Sequence, residues 1–170
     1  MYFTALWKTS LRFGAIGGGL TIVLFLILAY LDQNPLNKGK YFDFFLMLLI
    51  LLSGLKYFRD AENQKVMKFI QGIGVGLTIS LAVGVLTSGF LWIFLTEVDP
   101  NTLDQFKDSG IQYMHQNRPE VLKEIDQSTL DKTIQEIKSI SVRDVVADDI
   151  LRKLIIGLFL STILSFFLRK

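Results

Sequence analysis

Cysteine is absent from this 170-residue sequence, and histidine occurs once, as His115. The first absence excludes disulfides, thiolate metal sites, cysteine nucleophiles and an acylated cysteine anchor. The second leaves no histidine cluster to ligate a metal. Proline is limited to three positions, so long helices can run unbroken. A strong excess of one charge is also missing. Eighteen basic and sixteen acidic side chains leave +2, which argues against nucleic acid as a partner. No phosphate loop, nucleophile elbow or metal motif occurs, so the sequence points to no cofactor and no enzyme. Gly72-x-Gly74-x-Gly76 is not a nucleotide loop, because no strand precedes it.

Charge is missing altogether from four blocks, and these hold much of the 51% apolar content. Phe13–Leu31 gives 19 uncharged residues, about 28 Å as helix and close to the ~30 Å hydrocarbon core. A cleaved leader is the competing reading, since Lys8 and Arg12 precede the block; the block is too long, and Ala29-Tyr30-Leu31 makes a poor cleavage site. Phe44–Leu55 is shorter, but Tyr41, Phe42, Tyr57 and Phe58 flank it as interfacial aromatics, giving a span over 41–58. Phe69–Thr96 is long enough to tilt or emerge. Leu154–Leu168 becomes a span from residue 150 if Arg152 and Lys153 snorkel.

The segment 97–149 differs: acidic side chains outnumber basic ones and apolar residues recur at helical spacing. Asp99-Pro100 starts a helix bearing Leu103 and Phe106 on one face, and Arg118-Pro119 ends it. Val121, Leu122 and Ile125 form a short helix. Ser128 with Asp131 reads as a capping box before Leu130, Ile134 and Ile137, and Ser141 with Asp144 repeats the signature. The fold expected is therefore all-α. It is a polytopic membrane protein with three transmembrane helices in 1–96 (about 13–31, 41–58 and 69–96), a helical insert over 97–149, and a fourth transmembrane helix with a basic end over 150–170.

Lys and Arg in short loops set orientation. Lys8, Arg12, Lys56, Arg59, Lys65, Lys68, Arg169 and Lys170 fall on one side under four crossings, against Lys38, Lys40, Arg152 and Lys153 opposite, the long insert counting little in this rule. Both termini are expected in the cytoplasm and the insert outside.

Three segments carry a resemblance when taken in order: the Gly-rich entry Phe13-Gly14-Ala15-Ile16-Gly17-Gly18-Gly19, then Gly54-Leu55-Lys56-Tyr57-Phe58-Arg59-Asp60, then Phe69-Ile70-Gln71-Gly72-Ile73-Gly74-Val75-Gly76. With Val98-Asp99-Pro100, the helical insert and the final basic span, nearly the whole chain resembles a family of Bacteroidota membrane proteins catalogued as domain of unknown function 4199. The resemblance implies a bacterial inner membrane and a periplasmic insert. It supplies no activity and no site residues.

Gly72, Gly76, Ser80, Gly84 and Ser88 recur every fourth residue, and Gly14 with Gly18 repeats the spacing. Such stripes let helix backbones approach closely in lipid. Packing against the first helix of the same chain is expected, with a homo-oligomer or partner interface as the sharper reading. Lys56, Arg59, Lys65 and Lys68 form a basic loop suited to anionic headgroups. Leu103, Phe106, Leu130, Ile134 and Ile137 give the insert an apolar face that must bury against itself or a membrane or periplasmic protein. Asp43, Lys56, Arg152 and Lys153 sit only at block edges, which argues against a proton-coupled carrier. The function expected is a non-catalytic inner-membrane subunit or scaffold, with a small oligomeric transporter or channel as the alternative.

Overall fold

The computed structural model describes residues 2–169; Met1 and Lys170, the latter counted above for orientation, lie outside them. Four helices among the described residues are long and apolar enough to cross a membrane: Thr4–Tyr30, Pro35–Glu62, Phe69–Val98 and Val142–Leu168. The protein is an all-helical, polytopic membrane protein. We label its helices α1 (Tyr2–Tyr30), α2 (Pro35–Tyr57), α3 (Phe69–Ile93), α4 (Asn101–Gln116), α5 (Arg118–Glu124), α6 (Gln127–Ser139) and α7 (Val142–Leu168).

Local chemistry explains the boundaries. After α1, Asp32 turns left-handed at φ 53°, and the Asp32 and Gln33 N–H groups donate back to Ala29 O and Leu28 O. This satisfies the carbonyls left over at a helix end; aspartate tolerates that backbone region better than most residues. Asn34 then caps α2, accepting from Leu36 N at 3.0 Å with Pro35 in the first turn. Both α2 and α3 finish in a π-helical turn, Phe58–Glu62 and Phe94–Val98. Gln71 Oε1 accepts the Lys68 N–H at 2.9 Å, opening α3.

The insert follows the same logic with one change. Asp99 accepts from Asn101 N and the Thr102 hydroxyl at 3.1 and 2.7 Å, starting α4. The cap of α6 is Asp126, where the sequence suggested Ser128: Asp126 accepts the Thr129 N–H at 3.1 Å, and Ser128 donates its hydroxyl to Asp126 at 2.8 Å. Hydrogen bonds from Thr129 and Ser128 hold the Asp126 carboxyl below its ordinary range. Ser141 and Asp144 do form a capping box, and α7 runs from it into the bundle without a break.

Two ends can be told apart. At one, Lys8 pairs with Glu62 at 3.2 Å and Arg12 donates to the Tyr57 hydroxyl at 3.2 Å, so the start of α1 sits beside the α2–α3 connection. At the other, Asn34 donates to Thr102 O at 2.9 Å, tying the α1–α2 turn to the insert. Each end has its own core. Leu51, Leu55, Phe58, Met67, Val75 and Ile79 are buried toward the first, with Val83 and Leu160 continuing inward. Leu36, Leu91, Phe94, Leu95 and Leu103 are buried toward the second. The insert is thus seated on the bundle through Leu103, with Phe106 half-buried beside it. Leu130 is buried, Ile134 and Ile137 are half-buried, and Ile137 lies near Gly110 of α4.

Candidate functional site: a buried charge cluster and its cavity

Helix α3 is the spine of the bundle, packed on α7 along one face and on α1 along another. Its small-residue stripe meets a matching stripe on α7. Running antiparallel, Gly72 faces Ser165, Gly76 faces Ser161, Ser80 faces Gly157 and Gly84 faces Lys153 Cβ. One step further, Ser88 donates to Asp149 at 3.0 Å. Both sequences advance by four residues per contact, which keeps one face of each helix in register. A Cβ added at Gly72, Gly76 or Gly157 would overlap the opposing serine, so glycine is what permits this approach.

This corrects one expectation: α7, rather than α1, covers the stripe from Gly72 to Ser88. Gly14 and Gly18 of α1 instead meet Ala82 and Leu86 on a neighbouring face of α3.

Register then decides where the charges go. Asp149 and Lys153 continue the Gly157–Ser161–Ser165 face, so both point inward, 3% and 2% exposed. Lys153 does not snorkel. Its Nζ pairs closely with Asp149 Oδ1 and lies 3.4 Å from Asp43 Oδ2 of α2, which is 8% exposed. The other Asp149 oxygen accepts from the Thr87 and Ser88 hydroxyls at 2.8 and 3.0 Å. Arg152, one residue round the helix, approaches Asp149 at 3.5 Å and Asp148 at 3.7 Å. Counted from Arg169, Lys153 lies about 24 Å along the helix, a shorter distance than the ~30 Å thickness of a hydrocarbon core.

The cluster borders a cavity of about 300 Å³ at the insert end. Helices α1, α2, α3, α4 and α7 all contribute to its wall. Asp43, Thr87, Asp149 and Lys153 give it a polar floor, and Arg152 and Lys40 stand higher. Ile22, Phe25, Phe90 and Leu91 line the apolar side. The aromatic wall is stiffened by edge-on packing of Phe25 against Phe90 and Phe94, with centroids 5.4 and 5.0 Å apart. Chemically the cavity offers fixed charges, hydroxyls and an apolar flank, the composition of a small-ligand site.

Asp43, Arg152 and Lys153, expected only at block edges, are thus brought together inside the bundle, whereas most residues singled out as candidate sites lie elsewhere. Lys56, Lys65 and Lys68 are exposed at the opposite end, where Arg59 pairs with Asp60 at 2.6 Å. Gln64 and Lys65 shape that connection with left-handed backbones, at φ 53° and 62°. His115 is exposed on α4. Of the sequence-stripe residues, Gly84 and Ser88 abut the charge cluster; of the insert's apolar face, Phe106 reaches the cavity. The signal for Asp149 and Lys153 was present: they stand eight and four residues before Gly157, in phase with Ser161 and Ser165.

A search of curated proteins finds no match to this chain, and a search of solved structures finds none. A family model described as Protein of unknown function (DUF4199) matches residues 12–170, and the chain, polytopic fold and all, belongs to that family.

Proposed function

We propose that this chain is a non-catalytic, ligand-binding membrane protein of the small-carrier type, and that its working part is the cavity at the insert end. One observation carries this reading: Lys153, Asp149 and Asp43 are held inside the bundle beside open space. Ionisable side chains at membrane depth are costly and mark a ligand or ion pathway by default. The geometry therefore favours the transporter alternative over the scaffold, since the stripe and most of the insert's apolar face are covered within the chain itself. The scaffold reading keeps Tyr113 and Leu122, which stand exposed on the insert where a partner protein or second copy would meet them.

The setting we infer is a bacterial inner membrane, with both termini cytoplasmic and the insert periplasmic. The clustering of Lys8, Arg12, Lys56, Arg59, Lys65 and Lys68 at one end supports that orientation.

Gly39 lines the cavity, and a Cβ there meets nothing within 4 Å. Gly39→Phe should therefore fill the space without disturbing the helices. Native mass spectrometry of the wild-type protein released from membranes should show a bound small molecule, and Gly39→Phe should lose it. Identical spectra, both free of adducts, would overturn the reading.

A further inference from the structure

The ligand class can be taken further, on the footing that the cavity is a binding site. Four carboxylates and three cations line it, yet their hydrogen-bonding capacity is spent unequally. Asp149 is filled by Lys153, Thr87 and Ser88, and Asp43 faces Lys153. Asp144 accepts the Ser141 N–H and hydroxyl at 2.8 and 2.6 Å. Asp148 is largely exposed and faces Arg152.

The donors are less well matched. Arg152 stands 3.5 and 3.7 Å from its two carboxylates, long for hydrogen bonds. Its Nε is buried with no hydrogen-bond partner among the described residues. A buried donor left unmade is costly and asks for an acceptor. Lys40 forms no ion pair among the described residues; its Nζ lies 5.1 Å over the Phe106 ring at the cavity's rim. Facing these two cations are the hydrocarbon surfaces of Ile22, Phe25, Phe90 and Leu91.

We propose that the cavity binds an anionic amphiphile, a carboxylate or phosphate borne on an alkyl chain, with its headgroup between Arg152 and Lys40 and its chain along Phe25 and Phe90. The planar guanidinium suits either oxyanion, while Lys40 adds a point charge at the mouth. The buried Asp43–Lys153–Asp149 set fixes the floor and holds α7 in the rotation that presents Arg152.

The test is equilibrium binding of radiolabelled laurate to the purified full chain in a neutral detergent. Competition by dodecyl phosphate, dodecanol, dodecylammonium and inorganic phosphate separates the headgroup from the chain. Laurate should bind saturably and be displaced by dodecyl phosphate, with the other three at least roughly ten-fold weaker. Arg152→Gln and Lys40→Gln should each weaken laurate about ten-fold without changing dodecanol, and Arg152→Lys should restore part of the loss. Lys40 is exposed, so its variant decides the matter even if Arg152→Gln folds poorly. Displacement by inorganic phosphate alone would overturn the amphiphile in favour of a free anion, and preference for dodecylammonium would overturn the sign of the headgroup. Equal binding of laurate and dodecanol, both abolished by Gly39→Phe, would sink the anion assignment while leaving the cavity a binding site. No saturable binding of any probe, unchanged by Gly39→Phe, would sink both.

Discussion

Lys153 shows how one side chain can set the character of a helix bundle. Its ammonium is opposed by two carboxylates, and removing it takes from Asp43 its ion-pair partner and leaves Asp149 with the Thr87 and Ser88 hydroxyls and the more distant Arg152. Breaking a buried ion pair from one side costs about 3–5 kcal/mol, whereas replacing the whole set with neutral groups is often tolerated. Lys153→Met should therefore lower the stability of the detergent-solubilised protein by about that amount, read from chemical or thermal unfolding. Adding Asp43→Asn and Asp149→Asn should recover most of the loss. A single variant as stable as the wild type would mean that Lys153 reaches water. The sequence alone left this residue ambiguous: a lysine beside a 15-residue apolar run reads as a snorkelling flank, because long side chains near helix ends do reach the interface. Its inward direction depends on rotation about α7, which the serines and glycine further along the helix record only once their partner stripe is known.

At the scale of elements, the α3–α7 pairing from Gly72 to Ser80 rests on space, and only at its insert end do the Thr87 and Ser88 hydroxyls add hydrogen bonds to Asp149. Lipid gives helices no hydrophobic reason to associate, so dispersion across a close approach has to supply it. Gly76→Ala and Gly157→Ala each force a methyl into the opposing serine and should destabilise by about 1–3 kcal/mol. Gly84→Ala meets only ordinary contacts, the nearest atom being Ile150 Cα at 3.7 Å, and Gly89→Ala meets nothing. Those two should be neutral or stabilising by up to about 1 kcal/mol. Unfolding midpoints of the four variants in one detergent would check the ranking, and a costly Gly89→Ala would contradict it. Four-residue spacing made the stripe legible in the sequence. Its partner was not, because α1 carries glycines at the same spacing and periodicity cannot say which of two helices lies opposite. The α6 cap was similarly misplaced by two residues, since Asp126 and Ser128 are both good caps and only the backbone turn distinguishes them.

For the whole molecule, hydrophobic run length and the positions of basic residues went a long way. The four membrane-spanning helices and the helical insert follow from uncharged blocks and from proline, aspartate and serine at helix starts. The cavity does not follow, because it is made where five helices meet and no one of them carries its signature. Sidedness can be tested cleanly, since the chain has no cysteine of its own. Single cysteines at Gln64 and Gln127 should react with impermeant maleimides from opposite faces of intact and inverted membranes; labelling from the same face would rule out four crossings.

The distance along the chain between Asp43 and Lys153 has a further consequence, in time. The two are separated by 110 residues, which takes roughly 5–20 s to synthesise at typical rates. Throughout that interval α2 carries a carboxylate whose counter-charge does not yet exist. The nascent chain must shelter Asp43 in the insertion machinery, hold it neutral, or leave α2 shallow until α7 arrives. The buried partner of Asp43 is therefore supplied only when the last helix is made, so the packing of the second helix is completed by the end of the chain rather than by its neighbours in sequence.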